Sequence, residues 1–213
     1  MKDRLCVIST KNPTTHLIET IQKVKLYYDE FDIVIIDSDS DNKTMFTLVP
    51  NDCIIDFCKN KNWELGAWWY AFHKYNQYNV YMFIQDTLIP TARIPLHKTH
   101  YEKGTIYTCT YNCLLKDGMY LDVLRGIYKN TPLHFLSLLN ENTPIHGGAH
   151  SFFVTDKEHV FRILQLEIPF LQKKIIKTKI HSWITERTVG ILADTLRRVN
   201  VSSCFQKKNG NRS

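Results

Sequence analysis

The first half of the chain alternates short apolar runs with longer amphipathic stretches, each closed by a polar turn. Leu5-Cys6-Val7-Ile8-Ser9 is a continuous apolar run of strand length. Asn12-Pro13-Thr14-Thr15 follows it, with a turn former, a proline and hydroxyl caps. Leu17, Ile18, Ile21, Val24 and Tyr28 then recur near helical spacing, which predicts an amphipathic helix. Asp32-Ile33-Val34-Ile35-Ile36-Asp37 is β-branched and unbroken, so it predicts a second buried strand, ending in Ser38-Asp39-Ser40-Asp41-Asn42. A β-α-β unit of this kind leaves polar loops at the carboxyl ends of its strands, where open α/β sheets bind ligands.

Short strands are expected at Phe46–Val49 and Cys53–Phe57, then a helix over Trp63–Tyr75 despite Gly66. Tyr78–Gln85 reads as a further strand that ends at Asp86, and Gly104–Tyr111 as another. Met119–Tyr128 and Pro132–Leu139 carry helical patterns, Ser151–Val154 a strand pattern, and Glu158–Leu166 and Trp183–Arg198 helical ones. Strand and helix alternate early and mix later, which gives an α/β fold on a mainly parallel sheet with antiparallel additions. The pattern fits a single domain over residues 1–200, with 201–213 as a polar tail or linker.

Composition narrows the reading only a little. At 213 residues the chain is long enough for a substantial core, and its aromatic share of 12% suits either core or sugar-facing surfaces. The net charge of +6 comes from scattered residues rather than an Arg-aromatic stripe, which argues against a nucleic-acid partner. The chain has no apolar run of membrane-spanning length and opens without a secretory pattern, so free thiols in a reducing compartment are expected. Cys53/Cys58 and Cys109/Cys113 lack tight C-x-x-C spacing, so strand cysteines are a better account than zinc.

Chemistry is concentrated at three strand ends: Ser9-Thr10-Lys11-Asn12, Asp37-Ser38-Asp39-Ser40-Asp41 and Phe83-Ile84-Gln85-Asp86-Thr87. Neighbouring parallel strands would bring these to one edge of the sheet. Lys61-Asn62-Trp63-Glu64-Leu65-Gly66-Ala67 opens a helix between the second and third, and a helix start offers free backbone N–H groups. The Asp37–Asn42 stretch also suits a solvated turn. Asp86 closes a buried apolar run and needs a partner, either a backbone cap or a divalent cation.

These segments resemble the GT-A glycosyltransferases and are weakly similar to their large family 2 branch. Val7–Asn12 is similar to the first strand of that branch, Ile35–Ser40 to its second, and Asn62–Ala67 to the segment before its metal motif. Phe83–Leu88 stands in the place of the Asp-x-Asp motif. The likeness is closer still to the amino-terminal domains of large algal-virus glycosyltransferases, which implies a virus-encoded enzyme of the host cytoplasm. It implies a three-layer sandwich around a mixed, mainly parallel sheet, and transfer of a hexose or deoxyhexose from a UDP-sugar to a glycan or glycoprotein hydroxyl. Ser9, Thr10 and Lys11 would border the nucleotide, Asp37 or Asp39 the base or ribose, and Lys61 and Asn62 the base or phosphate. Gln85 and Asp86 would meet the donor, with Asp86 holding Mn²⁺ or Mg²⁺. Where the motif usually carries a second acidic residue, this chain has Leu88. Some GT-A enzymes recruit a late histidine, which makes His181 a second candidate ligand; a helix-entry histidine bonded to backbone is the alternative.

Transfer to a hydroxyl also asks for a base, and Glu186 in Trp183-Ile184-Thr185-Glu186-Arg187 is the first candidate. A first-turn glutamate stabilised by the helix dipole is an equal alternative. His146, Gly147 and Gly148 form a candidate acceptor loop, where two glycines admit a close approach and histidine donates hydrogen bonds. A nucleotidyltransferase is the enzymatic alternative, although Ser9–Asn12 lacks the glycine-rich loop it would need. No G-x-G-x-x-G follows the first strand, which disfavours a dinucleotide oxidoreductase. The missing second acid keeps open a non-catalytic module that binds glycan or nucleotide-sugar.

Overall fold

The structure is a computed structural model that describes residues 2–59, 63–114, 125–126, 138, 140, 144–172, 189 and 196–208. Strand β1 (Arg4–Thr10) is buried along its whole length, as its continuous apolar sequence requires. Helix α1 (Thr15–Tyr27) follows, capped by the Thr14 hydroxyl, which accepts from the His16 N–H at 3.3 Å. Its buried residues Leu17, Thr20, Ile21 and Val24 recur at helical spacing and set one face on the sheet. Strands β2 (Asp32–Asp37) and β3 (Ile54–Phe57) come next, then helix α2 (Trp63–Lys74) and strand β4 (Val80–Gln85). Strand β5 (Leu88–Pro90) leaves the main sheet, while β6 (Thr105–Leu114) and β7 (Pro144–Asp156) return to it. Helix α3 (Lys157–Gln172), β8 (Arg197–Asn200) and β9 (Phe205–Lys207) complete the described elements.

The main sheet has seven strands in the order β3-β2-β1-β4-β7-β6-β8. The β3-β2-β1-β4 half is parallel throughout, and β7 runs antiparallel to both β4 and β6. Side chains alternate between its faces and build two cores. Leu5, Val7, Val34, Ile36, Tyr81 and Phe83 join Trp68 and Leu65 of α2 and Val160 and Ile163 of α3. Cys6, Ile8, Ile33, Ile35, Met82 and Ile84 join Leu17, Ile21 and Val24 of α1. This is the α/β class with a mainly parallel sheet that the sequence pattern implies. Trp68 sits at the centre of the first core, with its ring 5.7 Å from Phe83 and 5.2 Å from Phe153. Trp69 and Tyr70 pack at the margin of the same core.

Several expectations need correction. Phe46–Val49 is not a strand: Thr44–Leu48 forms a 3₁₀ turn in which Phe46 is buried and Leu48 is 60% exposed. A single inward ring satisfies that run without a ladder. Arg197 and Arg198, read as the end of a helix, lie in β8 beside Thr105 and Ile106; of the rest of that expected helix only Val189, which is helical, and Leu196 are described. Most of the helices expected over Met119–Tyr128 and Pro132–Leu139 lies outside the described residues. The stretch from 201 does not begin as a tail. Val201 is buried, and Phe205–Lys207 pairs antiparallel with Leu88–Pro90. The backbone groups of this short polar run are satisfied by β5, so it folds although its side chains give no strand signal.

The cysteines behave as strand and core residues: Cys6, Cys53 and Cys109 are buried, Cys58 and Cys204 half-buried, and all five are unbridged. Burial pushes the Cys109 thiol up to about 12, with a smaller upward push from Cys204 against a lowering hydrogen bond with Ser202. No described helix is long and apolar enough to cross a membrane.

Candidate functional site

Parallel strands that share register end at one edge, and β1, β2 and β4 do so here. The last β1 pairs are Thr10 with Asp37 and Ser9 with Gln85. The turns beyond them are tied together. The Ser38 N–H donates to Thr10 O at 2.9 Å, and the Asp86 N–H donates to Ser9 O at 3.1 Å. Ser9 Oγ reaches back to Ile84 O at 3.4 Å.

Asp86 is 1% exposed, and its Oδ2 accepts a 2.5 Å hydrogen bond from the Thr10 hydroxyl. Thr20 of α1 donates to its backbone carbonyl at 2.9 Å. The pairing follows from the alternation of the strands. Thr10 continues the Cys6-Ile8 face of β1, and Asp86 continues the Met82-Ile84 face of β4, so both turn toward α1. Gln85 takes the opposite face and meets the first turn of α2: its Nε2 donates to Glu64 Oε1 at 2.7 Å. The start of α2 therefore reaches the same edge as the strand tips.

The two candidate aspartates after β2 have different environments. Asp37 is 1% exposed and accepts from the Ser40 N–H at 3.2 Å and from the Ser40 hydroxyl. It shapes its own loop, which is the turn-building role open to it from sequence. Asp39 is exposed and sits at φ 64°, a left-handed conformation that Asp tolerates better than most residues. Asn12, at φ 49°, binds the two loops together: its N–H donates to Ser40 Oγ at 2.6 Å, and its Oδ1 accepts from the Asp41 N–H at 2.9 Å. Lys11 is half-buried beside it.

His146, Gly147 and Gly148 belong to strand β7 rather than to a loop, with Asn112, Tyr111 and Thr110 of β6 opposite them. The β4–β7 ladder extends from Val80–Asp156 to Phe83–Phe153. Because β7 is antiparallel to β4, the earlier residues of the β6–β7 ribbon continue past the tip of β4 on the candidate edge. His150 in this ribbon has φ 59° and is exposed. Partial desolvation of its ring, and then the charge of Lys207, lower its pKa.

Lys207 belongs to the Lys207-Lys208 charge cluster that the sequence shows near its end, but its placement at this edge is what sequence reasoning missed. Its ammonium donates to Gln85 Oε1 and, at 2.8 Å, to Thr87 Oγ1. The next residue extends the contact, with the Lys208 N–H on Thr87 O at 2.9 Å. The strand pairing Leu88–Lys207 brings this cation to β4, and no spacing in the sequence signals it. Glu64 was within sight, one residue into the helix start already singled out. Lys61, Asn62, His181 and Glu186 lie outside the described residues.

Among the described residues no three His, Cys, Asp or Glu side chains gather as a metal cluster. The Asp86 carboxylate, with the Thr10 hydroxyl on it, is nevertheless an oxygen donor of the type hard cations prefer. Such cations are commonly held by one or two carboxylates plus substrate phosphates.

No protein-family model and no curated protein sequence matches the chain. Solved structures do match its fold. One is core-mannan synthase A from Aspergillus fumigatus in its Mn/GDP form, 9% identical, with a TM-score of 0.50 over 91% of this chain and 71% of that one. Another is glucosyl-3-phosphoglycerate synthase from Mycobacterium tuberculosis with Mn²⁺, UDP and glucosyl-3-phosphoglycerate, 12% identical, with a TM-score of 0.50 over 98% of this chain and 73% of that one. The mixed seven-stranded sheet with helices on both faces is thus a GT-A-like fold.

Proposed function

We propose that the protein is a glycosyltransferase that moves a hexose or deoxyhexose from a UDP-sugar to a hydroxyl of a glycan or glycoprotein, with Mn²⁺ or Mg²⁺ as cofactor. The observation that carries this reading is the meeting of the β1, β2 and β4 tips at one edge, bound together through Thr10, Ser38 and Asp86. The Mn/GDP and Mn/UDP forms of the structural neighbours support it. The same reading includes work in the cytoplasm of a host cell, as the viral likeness implies.

In this proposal Ser9, Thr10 and Lys11 border the nucleotide. Asp39 is the accessible acid for the ribose or base, while Asp37 shapes the loop that presents it. Lys61 and Asn62, which precede α2 in sequence, are assigned to the base or phosphate. Asp86 would hold the cation, with His181 as a second ligand, and Gln85 helps to form the donor floor. A bound divalent cation would supply charge stabilisation to the diphosphate as the sugar bond breaks. Glu186 takes the proton from the acceptor hydroxyl, and His146, Gly147 and Gly148 line the acceptor side of the β6–β7 ribbon.

The test is release of UDP from UDP-glucose and a panel of other UDP-sugars, with glycan acceptors, in Mn²⁺ and in EDTA. Metal-dependent release that rises with acceptor supports the reading. A second reading, a non-catalytic nucleotide-sugar-binding module, draws on the burial of Asp86 against Thr10. Saturable UDP-sugar binding with no turnover across the panel would select it.

A further inference from the structure

We propose that the cleft between α2, the end of β7 and the start of α3 binds a neutral sugar unit of a glycan, at a site separate from the candidate edge. The cleft has a volume of about 800 Å³, within the range of small-molecule sites. Val80, the first residue of β4, lines it, whereas the candidate edge lies beyond Gln85 at the other end of the same six-residue strand. At the rise of a strand the two ends are about 17 Å apart, so the cleft is no part of the proposed donor site. Its lining includes two aromatic rings, the buried Phe72 and Phe161, with centroids 6.4 Å apart and planes tilted by 36°. Phe161 is 47% exposed, although its neighbours Val160, Ile163 and Leu164 all turn into the core. The C–H face of a pyranose packs on the electron-rich face of such a ring.

The polar groups of the cleft decide which class of ligand it suits. Its charged groups already have protein partners. Lys103 lies 3.0 Å from Glu158, which also accepts from Arg162 at 2.5 Å. Asp156 accepts from the Gly104 and His159 N–H groups at 3.1 and 3.0 Å, and the Lys157 ammonium donates to the Asn76 backbone carbonyl. Asp3 Oδ1 faces Arg4 Nε at 3.8 Å, and the Tyr101 hydroxyl donates to Thr105 O. The side-chain amides of Asn76 and Asn79 are exposed, and neither has a hydrogen-bond partner among the described residues. An amide both donates and accepts, which matches a sugar hydroxyl; an ionic ligand would need an opposite charge still unmatched. Rings with free amides therefore suit a neutral polyhydroxylated ligand. If the transferase reading holds, a glycan kept here would raise the effective concentration of acceptor ends. The site itself does not depend on that reading.

The experiment is calorimetric titration of the intact chain with the tetraoses of glucose, mannose and xylose, and with tetragalacturonate as a charged control. The proteins are the wild type, Phe161→Ala, Phe161→Tyr and the double variant Asn76→Ala/Asn79→Ala, all altered at exposed side chains. Wild type should bind at least one neutral tetraose saturably, and about tenfold or more tighter than the charged control. Phe161→Ala and the double variant should each weaken that binding by about tenfold or more, while Phe161→Tyr stays within about twofold of wild type. No saturable binding of any neutral tetraose would overturn the proposal. Equal affinity for tetragalacturonate, or unchanged affinity in both Phe161→Ala and the double variant, would overturn it as well. UDP affinity is the control for separateness. It should be the same in wild type and Phe161→Ala, and a parallel loss would overturn the claim of a second site. A wild type that binds the tetraose through Phe161 but releases no UDP from any UDP-sugar would leave this site standing and sink the transferase reading.

Discussion

Replacing Thr10 with valine is the sharpest test of how the strand tips are held. Valine fills the same volume and suits a strand, so the change removes the hydroxyl and leaves β1 otherwise intact. What is lost is a 2.5 Å hydrogen bond to the carboxylate of a residue that is 1% exposed. Hydrogen bonds to charged groups contribute about 1.5–3 kcal/mol net, and a buried acceptor deprived of a partner bears a desolvation cost of similar size. A destabilisation of about 2–3 kcal/mol is therefore expected. For a chain of this length each kcal/mol moves the melting temperature by about 2–4 °C, which places the shift at about 4–12 °C. Urea titration supplies ΔΔG directly, provided that the slope is unchanged. A double-mutant cycle with Asp86→Asn isolates the charged pair, and a coupling of at least about 1 kcal/mol is expected for groups in direct contact. A Thr10→Val midpoint within error of wild type, or strict additivity in the cycle, would show that Asp86 is held by other groups and that the hydroxyl contributes nothing.

Three further predictions bear on function and pH. Asp86→Ala should abolish the Mn²⁺-dependent part of UDP-sugar binding in calorimetry, and unchanged affinity in metal would remove Asp86 from the proposed ion site. Glu186→Gln should slow sugar transfer by about 100-fold or more with donor affinity retained, as expected of a general base; near-normal turnover would remove it from the reaction. Asp156→Asn should flatten the acid limb of the stability curve. Burial pushes the Asp156 pKa up, but hydrogen bonds from the Gly104 and His159 N–H groups and from the His159 ring hold it below the ordinary value. A depressed native pKa stabilises the fold above the unfolded value of about 3.9, and the contribution fades as pH falls through the native one. Thermal melts between pH 6 and pH 3 should therefore fall more steeply for wild type than for Asp156→Asn, and parallel curves would contradict the assignment.

The parts of the fold that were readable from sequence are those in which one strand carries its own signal. β1, β2 and β4 are buried on both faces, so each must be an unbroken apolar run, and each is. The loops at their ends could be named as one edge because parallel strands flanking helical crossovers leave little choice of direction. Short or polar elements were not readable in the same way. Phe46–Val49 has the composition of a strand and folds as a 3₁₀ turn, since four residues do not define a period. β7 extends over Pro144–Asp156, and the glycines and histidines in its first half obscure a strand whose ladder is supplied by β6.

The same distinction explains what was missed at the site. Thr10 and Asp86 were each legible as strand-end residues, but their hydrogen bond depends on both lying on the α1 face of adjacent strands, a matter of register rather than composition. The placement of Lys207 was illegible for a stronger reason. Phe205-Gln206-Lys207 has no period and no apolar stripe, and it becomes a strand only because Leu88-Ile89-Pro90 offers a free edge to pair with. An ammonium brought to the tip of β4 in this way is specified by two weak segments meeting across the chain. The sheet edge thus combines acids and hydroxyls encoded locally in β1, β2 and β4 with a cation encoded only by tertiary pairing. Substitutions that weaken β9, such as Gln206→Pro, which removes a backbone donor within the β5–β9 pair, should therefore lower the melting temperature while leaving the strands of the main sheet in place, and an unchanged melt would show that the pair contributes nothing to stability.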